Sequence, residues 1–364
     1  MRALAAISTA PDAPFDLRTV DIGAPGADEI LVKLAATGIC HTDLFFKSKV
    51  PAALGPCLFG HEGTGIVASV GSAVTGITPG DHVVLSYRSC GCCRPCRQGQ
   101  PAYCDRSTEL NALGVRPDGA PRVSHAGTPV LTGFFGQSSF AEYALAHPDN
   151  VVVVDGSADK AVIAALGCGF QTGAGAVLNV LRPSSSSRLV IYGSGSVGFA
   201  ALLAARAAGV ERIVAVDPAE QRRELAAEFG AVAIDPTDSG AGQAIAAATD
   251  GGATHALDTT GIPEVIKQAV RALRAMGELA VVGLGKPEVA IDIQDLLFKG
   301  KTIRGCIEGD AQIHEFIPAL IDLYTAGKFP IDRLVTRYRP DEFNQAIADQ
   351  AAGRVIKPVV VWEH

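Results

Sequence analysis

The spacing of apolar residues changes partway along the chain. Up to about residue 165 they come in short runs, such as 29–34, 65–70 and 82–85. Turn signals separate these runs, among them Gly71-Ser72 and Pro79-Gly80-Asp81. Brief apolar runs bounded by Gly, Pro and Asp predict a β-rich domain of short, irregular strands. The opening segment, 1–10, reads as a first strand, because its apolar part is too short for a secretory leader. From about residue 166 strand-like runs at 188–192, 212–216, 231–234, 255–259 and 278–283 alternate with helical stretches at 196–208, 218–229 and 263–276. Gly209 and Gly230 close two of those helices, and Pro218 opens one. Such alternation predicts a parallel sheet with helices on both faces. A mixed pattern returns after residue 305 and ends in a strand at 356–362. The expected architecture is α/β: a doubly wound parallel sheet domain at 166–304, inserted into a β-rich domain made of 1–165 and 305–364.

Composition narrows the partners. A chain of 364 residues has material for about two domains. With 48% hydrophobic and 19% charged residues it is globular, and its net charge of −7 disfavours nucleic acid or an anionic membrane surface. No apolar run approaches the roughly 18 residues of a membrane helix. Nine cysteines, several in C-x-x-C spacing, predict metal-bound thiolates in a reducing cytoplasm rather than disulfides.

Two motifs carry explicit chemistry. Cys90, Cys93, Cys96 and Cys104 stand at intervals that let four thiolates converge on one tetrahedral ion. Four sulfurs close the coordination sphere of zinc, so this site would hold a loop together and perform no reaction. Gly193, Gly195 and Gly198 follow a strand and open a helix, the context of a dinucleotide fingerprint. Gly193 allows the tight turn, Gly195 the approach of a pyrophosphate, and Gly198 close helix–strand packing; the helix N-terminus offers amides to phosphate. Asp217 ends the next strand, where a carboxylate accepts from ribose hydroxyls and repels a 2′-phosphate, favouring NAD. Arg222 is either an adenosine-side contact or an exposed helix arginine. Cys57, Cys92 and Cys306 read as structural.

A second set of metal-binding side chains is scattered: Cys40-His41-Thr42-Asp43, Gly60-His61-Glu62-Gly63 and Cys168. Taken with the four cysteines and the glycine loop, in this order, these motifs resemble the zinc-dependent medium-chain alcohol dehydrogenases over nearly the full length. The resemblance implies a GroES-like catalytic domain beside the Rossmann domain, and two zinc ions per subunit. It implies Cys40, His61 and Cys168 as ligands of a catalytic zinc with one open position, Glu62 behind the metal, and Asp43 holding the second ring nitrogen of His61. By the same analogy Thr42 shares the substrate proton, His41 touches the pyrophosphate, and Thr172 and Val197 contact the nicotinamide. Two positions depart from the family pattern. Phe45 stands where many relatives relay the proton through a histidine, and Lys357 where many place an arginine on the cofactor phosphates.

The implied reaction is reversible, NAD-dependent oxidation of an alcohol to the aldehyde by hydride transfer from a zinc-bound alkoxide. Phe45, Phe46, Phe134, Phe135 and Leu284 fall where relatives line the substrate channel, and the small Ser86 falls where several carry an aromatic. That lining suits a bulky, apolar primary alcohol, benzyl or other aryl alcohols first and geraniol-type allylic alcohols second. Glutathione-dependent formaldehyde oxidation is the next alternative, but 44–59 contains no Asp or Glu and Thr108 replaces that branch's arginine. A non-catalytic zinc- and NAD-binding structural protein is the alternative from another class. The segment 108–137 resembles a channel-covering loop. A homodimer or homotetramer is expected, with the run 279–284 pairing edge to edge.

Overall fold

The structure, a computed structural model, describes residues 1–116 and 118–362. The chain forms two compact units. One comprises Met1–Cys168, Gln312–Asp322 and Asp332–His364, and the other Gly169–Ala311 and Leu323–Ile331. These limits lie a few residues from 166 and 304, the expected ends of the insertion. Residues 166–168 stay with the first unit because Gly167 lies against the backbone of Leu85, where even a Cβ would meet the Leu85 carbonyl at 2.2 Å. Residues 305–311 stay with the second, since the Cys306 amide still donates to the Val281 carbonyl (3.0 Å) and Gly309 abuts Gly175.

In the first unit the short apolar runs become β1 (Arg2–Ser8), β2 (Asp16–Ile22) and β3 (Ile30–Gly38), followed by α1 (His41–Lys47). Next come β4 (Cys57–Leu58), β5 (Gly63–Val70) and β6 (His82–Leu85). β1 pairs antiparallel with both β2 and β4. β3 is central to the larger sheet, flanked by β5 on one side and Lys357–Val361 on the other. That position explains its composition, because every residue but Lys33 is buried. Phe15, Phe140 and Phe343 pack edge to face with centroids 4.8 to 5.6 Å apart, each pair adding about 0.5–1.5 kcal/mol beyond its buried area. α1 is fastened at its far end by the Lys47 ammonium, which donates to the carbonyls of Ala10, Pro11 and Ala13. The segment predicted to cover a channel holds a short helix, Ser107–Asn111, and a hairpin, Val123–His125 with Thr128–Val130. Arg116 and Arg122 tie it to the buried Glu29 at the start of β3.

The second unit is a six-stranded parallel sheet. Its order is Val232–Ile234, Arg212–Val216, Arg188–Tyr192, Ala253–Asp258, Leu273–Val281, Thr302–Gly305. Order therefore reverses beside the first strand, and ligands of such sheets bind at that switch point, outside the carboxyl ends of the strands. Two expectations change here. The helix starting at Pro263 stops at Ala272, and Leu273 already pairs with Ala253 as strand. The run 279–284 is no edge, since Thr302–Gly305 pairs outside it. Among the described residues no single helix is long and apolar enough to cross a membrane.

Candidate functional site

The four-cysteine loop closes as its spacing requires. The sulfurs of Cys90, Cys93, Cys96 and Cys104 lie within 4.8 Å of one another, and Cys92 points to solvent outside the group. Backbone amides turn inward on the sulfurs: Cys90 donates to the Cys104 sulfur (3.3 Å) and Cys93 to that of Cys90 (3.4 Å). The amides of Cys92 and Cys93 pull the Cys90 thiol down to about 6. Cys96, where burial and the Cys93 thiol oppose ionisation, is pushed up to about 12. Four convergent sulfurs, fed by amides, suit a thiophilic divalent ion such as zinc.

The scattered residues also converge, within the first unit. Cys40 caps the exit from β3, His61 and Glu62 immediately precede β5, and Cys168 ends the unit's long N-terminal segment. One ligand atom from each of Cys40, His61, Glu62 and Cys168 lies within 4.8 Å of the others. His61 is fully buried, its Nδ1 2.8 Å from Asp43 Oδ1. The same carboxylate accepts from the amides of Gly60 (3.0 Å) and Cys40 (3.1 Å), so one buried Asp43 holds both segments. With Nδ1 so engaged, Nε2 is the free vertex; it is buried and has no hydrogen-bond partner. Contact with Cys168 holds the Cys40 thiol well below its ordinary range against the effect of burial, with Lys357 and His61 helping. An orphaned imidazole nitrogen beside an acidified thiol and a second sulfur fits zinc.

Behind these groups lies an ion pair that sequence spacing did not disclose. Lys357, expected on cofactor phosphates, is fully buried with its ammonium 2.5 Å from Glu62 and 3.3 Å from the Ile39 carbonyl. Its strand lies beside β3, and the side chain is turned into the unit. Burial opposes its charge, but Glu62 and Cys40 outweigh that and raise its pKa. Burial pushes Glu62 up to about 7, Lys357 pulling the other way. Glu62 fits only because residue 38 is glycine, where a Cβ would come within 2.0 Å of the carboxylate.

Aromatic rings wall the cluster. Phe134 meets His61 edge-on (5.5 Å), Phe46 packs on Phe134 (5.6 Å), and Phe45 packs on Phe46 (5.4 Å). Phe135 lies 4.6 Å from the His61 ring, tilted by 33°. Ser86 is fully buried and its hydroxyl donates to the Gly167 carbonyl (2.6 Å), so it offers the site small volume and no free polar group. Thr42 stands 3.6 Å from the Cys40 sulfur, and His41 is exposed at the start of α1. Leu284 belongs to the second unit and is about half exposed (47%).

In the second unit the glycine loop closes on itself. Gly193 has φ 89°, and a Cβ at Gly198 would meet the Gly193 carbonyl at 1.9 Å. The helix Ser196–Ala207 then starts with no side-chain cap, leaving its first amides for an anion. Asp217 is buried and already accepts from the amides of Ser194 (2.7 Å) and Ala219 (2.9 Å). Arg222 is partly buried, 3.8 Å from that carboxylate. The helix bearing Thr172 packs on Val197, whose carbonyl would lie 2.0 Å from a Cβ at Gly173.

Comparison with known proteins agrees with this chemistry. A family model for the alcohol dehydrogenase GroES-like domain matches residues 26–156, and one for zinc-binding dehydrogenases matches 196–326. Geraniol dehydrogenase of Castellaniella defragrans is 45% identical, over 99% of this chain and 98% of its own length. A probable S-(hydroxymethyl)glutathione dehydrogenase of Schizosaccharomyces pombe is 33% identical over 98% and 96%. The crystal structure of benzyl alcohol dehydrogenase from Acinetobacter calcoaceticus superposes with a TM-score of 0.94 at 43% identity, covering both chains fully. The chain belongs to the zinc-dependent medium-chain alcohol dehydrogenases.

Proposed function

We propose that this alcohol dehydrogenase oxidises bulky, flat primary alcohols to aldehydes with NAD, benzyl and other aryl alcohols foremost. The observation that carries the reading is the buried Cys40, His61 and Cys168 cluster with Phe134 and Phe135 on His61 and with Phe46 and Phe45 packed beyond them. Cys40, His61 and Cys168 would hold the catalytic zinc, and Cys90, Cys93, Cys96 and Cys104 a structural one. Zinc supplies Lewis-acid charge that acidifies an alcohol, and NAD supplies the hydride acceptor. Asp43 keeps His61 in the tautomer that presents Nε2. Thr42 takes or shares the hydroxyl proton of the alcohol. Phe45 cannot pass it on, so the ribose hydroxyl, His41 or water receives it next. The phenylalanines exclude water and stack on an unsaturated substrate carbon skeleton.

In the second unit Gly193, Gly195 and Gly198 would take the pyrophosphate. Asp217, immobilised by two amides, would face the ribose and disfavour a 2′-phosphate. Thr172 and Val197 would contact the nicotinamide end, and Arg222 the adenosine. Similarity to geraniol dehydrogenase favours a second reading, an allylic terpene alcohol, which shares the unsaturated carbon next to the carbinol. Nine free cysteines suit a reducing cytoplasm. Exposed Met276, Ile293, Leu297 and Phe298 near the edge strand Thr302–Gly305 favour a homo-oligomer, to be tested by sedimentation.

The test is NADH formation with benzyl alcohol, geraniol, ethanol and S-(hydroxymethyl)glutathione in parallel. Benzyl alcohol is expected to give the largest kcat/KM, with geraniol next. The largest value for S-(hydroxymethyl)glutathione or for ethanol would overturn the substrate assignment.

A further inference from the structure

We propose that Phe135 is a positioning residue for His61, its ring setting the plane of the imidazole; this rests on the ligand set proposed above. The backbone speaks first. Within 133–138, Gly133, Phe135, Gly136 and Ser138 all have positive φ, and Phe135 stands at φ 50° and ψ 34°. A bulky L-residue avoids this left-handed region because its Cβ crowds the neighbouring carbonyl. It stays there only when its surroundings over-determine it.

Those surroundings are explicit. Asn150 Nδ2 donates to the Phe135 carbonyl (3.1 Å). Gln137 Nε2 donates to the carbonyls of His61 and Ser86 (3.0 Å each), while Gln137 Oε1 accepts from the Gly63 amide (3.1 Å). Ser138 Oγ donates to the Leu58 carbonyl (2.6 Å). The turn is thereby fastened to 58–63, the segment that presents His61.

The ring contact completes the geometry. Asp43 fixes Nδ1, which leaves the imidazole free to rock about that single hydrogen bond. Phe135 lies over the ring face (4.6 Å between centroids, 33°) and Phe134 against its edge (5.5 Å, 87°). Face and edge contacts together remove the rocking motion and hold Nε2 on line with the sulfurs. Lining a substrate channel would account for an apolar side chain at 135, but not for its seat on a ligand.

Zinc release from the purified holoenzyme into excess chromogenic chelator tests this without turnover. Two phases are expected, and His61→Ala should retain only that of the four-cysteine site, which assigns them. Phe135→Ala and Phe135→Asn should speed the other phase about tenfold or more, the effect of losing an outer support of a ligand. The four-cysteine phase should not move. Asparagine tolerates the left-handed backbone, so Phe135→Asn should keep its Tm near wild type while releasing zinc fast, separating positioning from folding. With cobalt in place of the releasable zinc, the same variants should shift the visible absorption bands; Phe46→Ala, which removes a ring that touches Phe134 and not His61, should leave them in place. An unchanged release rate in both Phe135 variants would overturn the proposal, as would equal acceleration of both phases with a falling Tm. A wild-type enzyme holding zinc only at the four cysteines would remove the ligand set itself.

Discussion

Two sulfur-rich clusters in the first unit differ in how they are built. The four-cysteine site takes all its ligands from one short loop, three of its sulfurs sit on half-exposed residues, and its support is backbone amides. The Cys40, His61 and Cys168 site gathers ligands separated by up to the length of a domain. It is buried and backed by charged side chains, Asp43 on the imidazole and Glu62 with Lys357 behind it. A closed site needs only four donors to fold a loop. A site gathered from distant segments must also have the orientation and charge of its donors fixed by their neighbours.

Breaking the comparison outright is the largest effect. Cys40→Ala or His61→Ala should remove zinc from the dispersed site alone and abolish turnover, measured as metal content per subunit and NADH formed. Full loss of both ions would show that the clusters do not stand independently.

Next comes the buried pair. Lys357→Met removes the buried countercharge of the Glu62 carboxylate, a change expected to cost about 3–5 kcal/mol in chemical denaturation. Adding Glu62→Gln should recover much of that. Among the described residues no buried ion pair backs the four cysteines, so their zinc release should not respond.

The segment leading from the four-cysteine loop to Phe134 and Phe135 is tethered by Glu29. Burial alone would raise the pKa of this carboxyl, but Arg116, the Gly26 amide and Arg122 outweigh it and lower it from 4.5 to about 2. A lowered folded pKa means that the contribution is complete above 4.5 and lost as pH falls from there towards about 2. Glu29→Gln should therefore reduce stability by on the order of 2–3 kcal/mol at neutral pH and flatten this acid limb. An unchanged acid limb would show that the tether carries no stability.

The smallest expected effect sharpens the contrast most. Asp43→Asn keeps the shape but weakens zinc at His61 about 10–100-fold, read by competition with a chelator. The four-cysteine affinity should stay at the wild-type value.

Several features were legible from residues alone. The C-x-x-C spacing named four sulfurs that converge, because a two-residue gap sets how neighbouring thiolates meet. Strand–glycine–helix order located the tight turn, since only glycine fits where Gly198 abuts the Gly193 carbonyl. Other features were hidden, for tertiary reasons. That Lys357 pairs with Glu62 was invisible in the sequence, because only its strand's place beside β3 brings the two together. The run 279–284 looked like an edge until Thr302–Gly305 covered it. Gln137 and the left-handed Phe135 gave no local signal.

By itself the sequence determined what depends on near neighbours: short strands against alternating strand and helix, the closed metal loop, and the glycine turn. Tertiary structure alone decided which distant side chains share a buried volume. Burial and pairing then set their charge, so Cys40, His61, Cys168, Glu62 and Lys357 became one electrostatic unit only where strands far apart in sequence lie side by side.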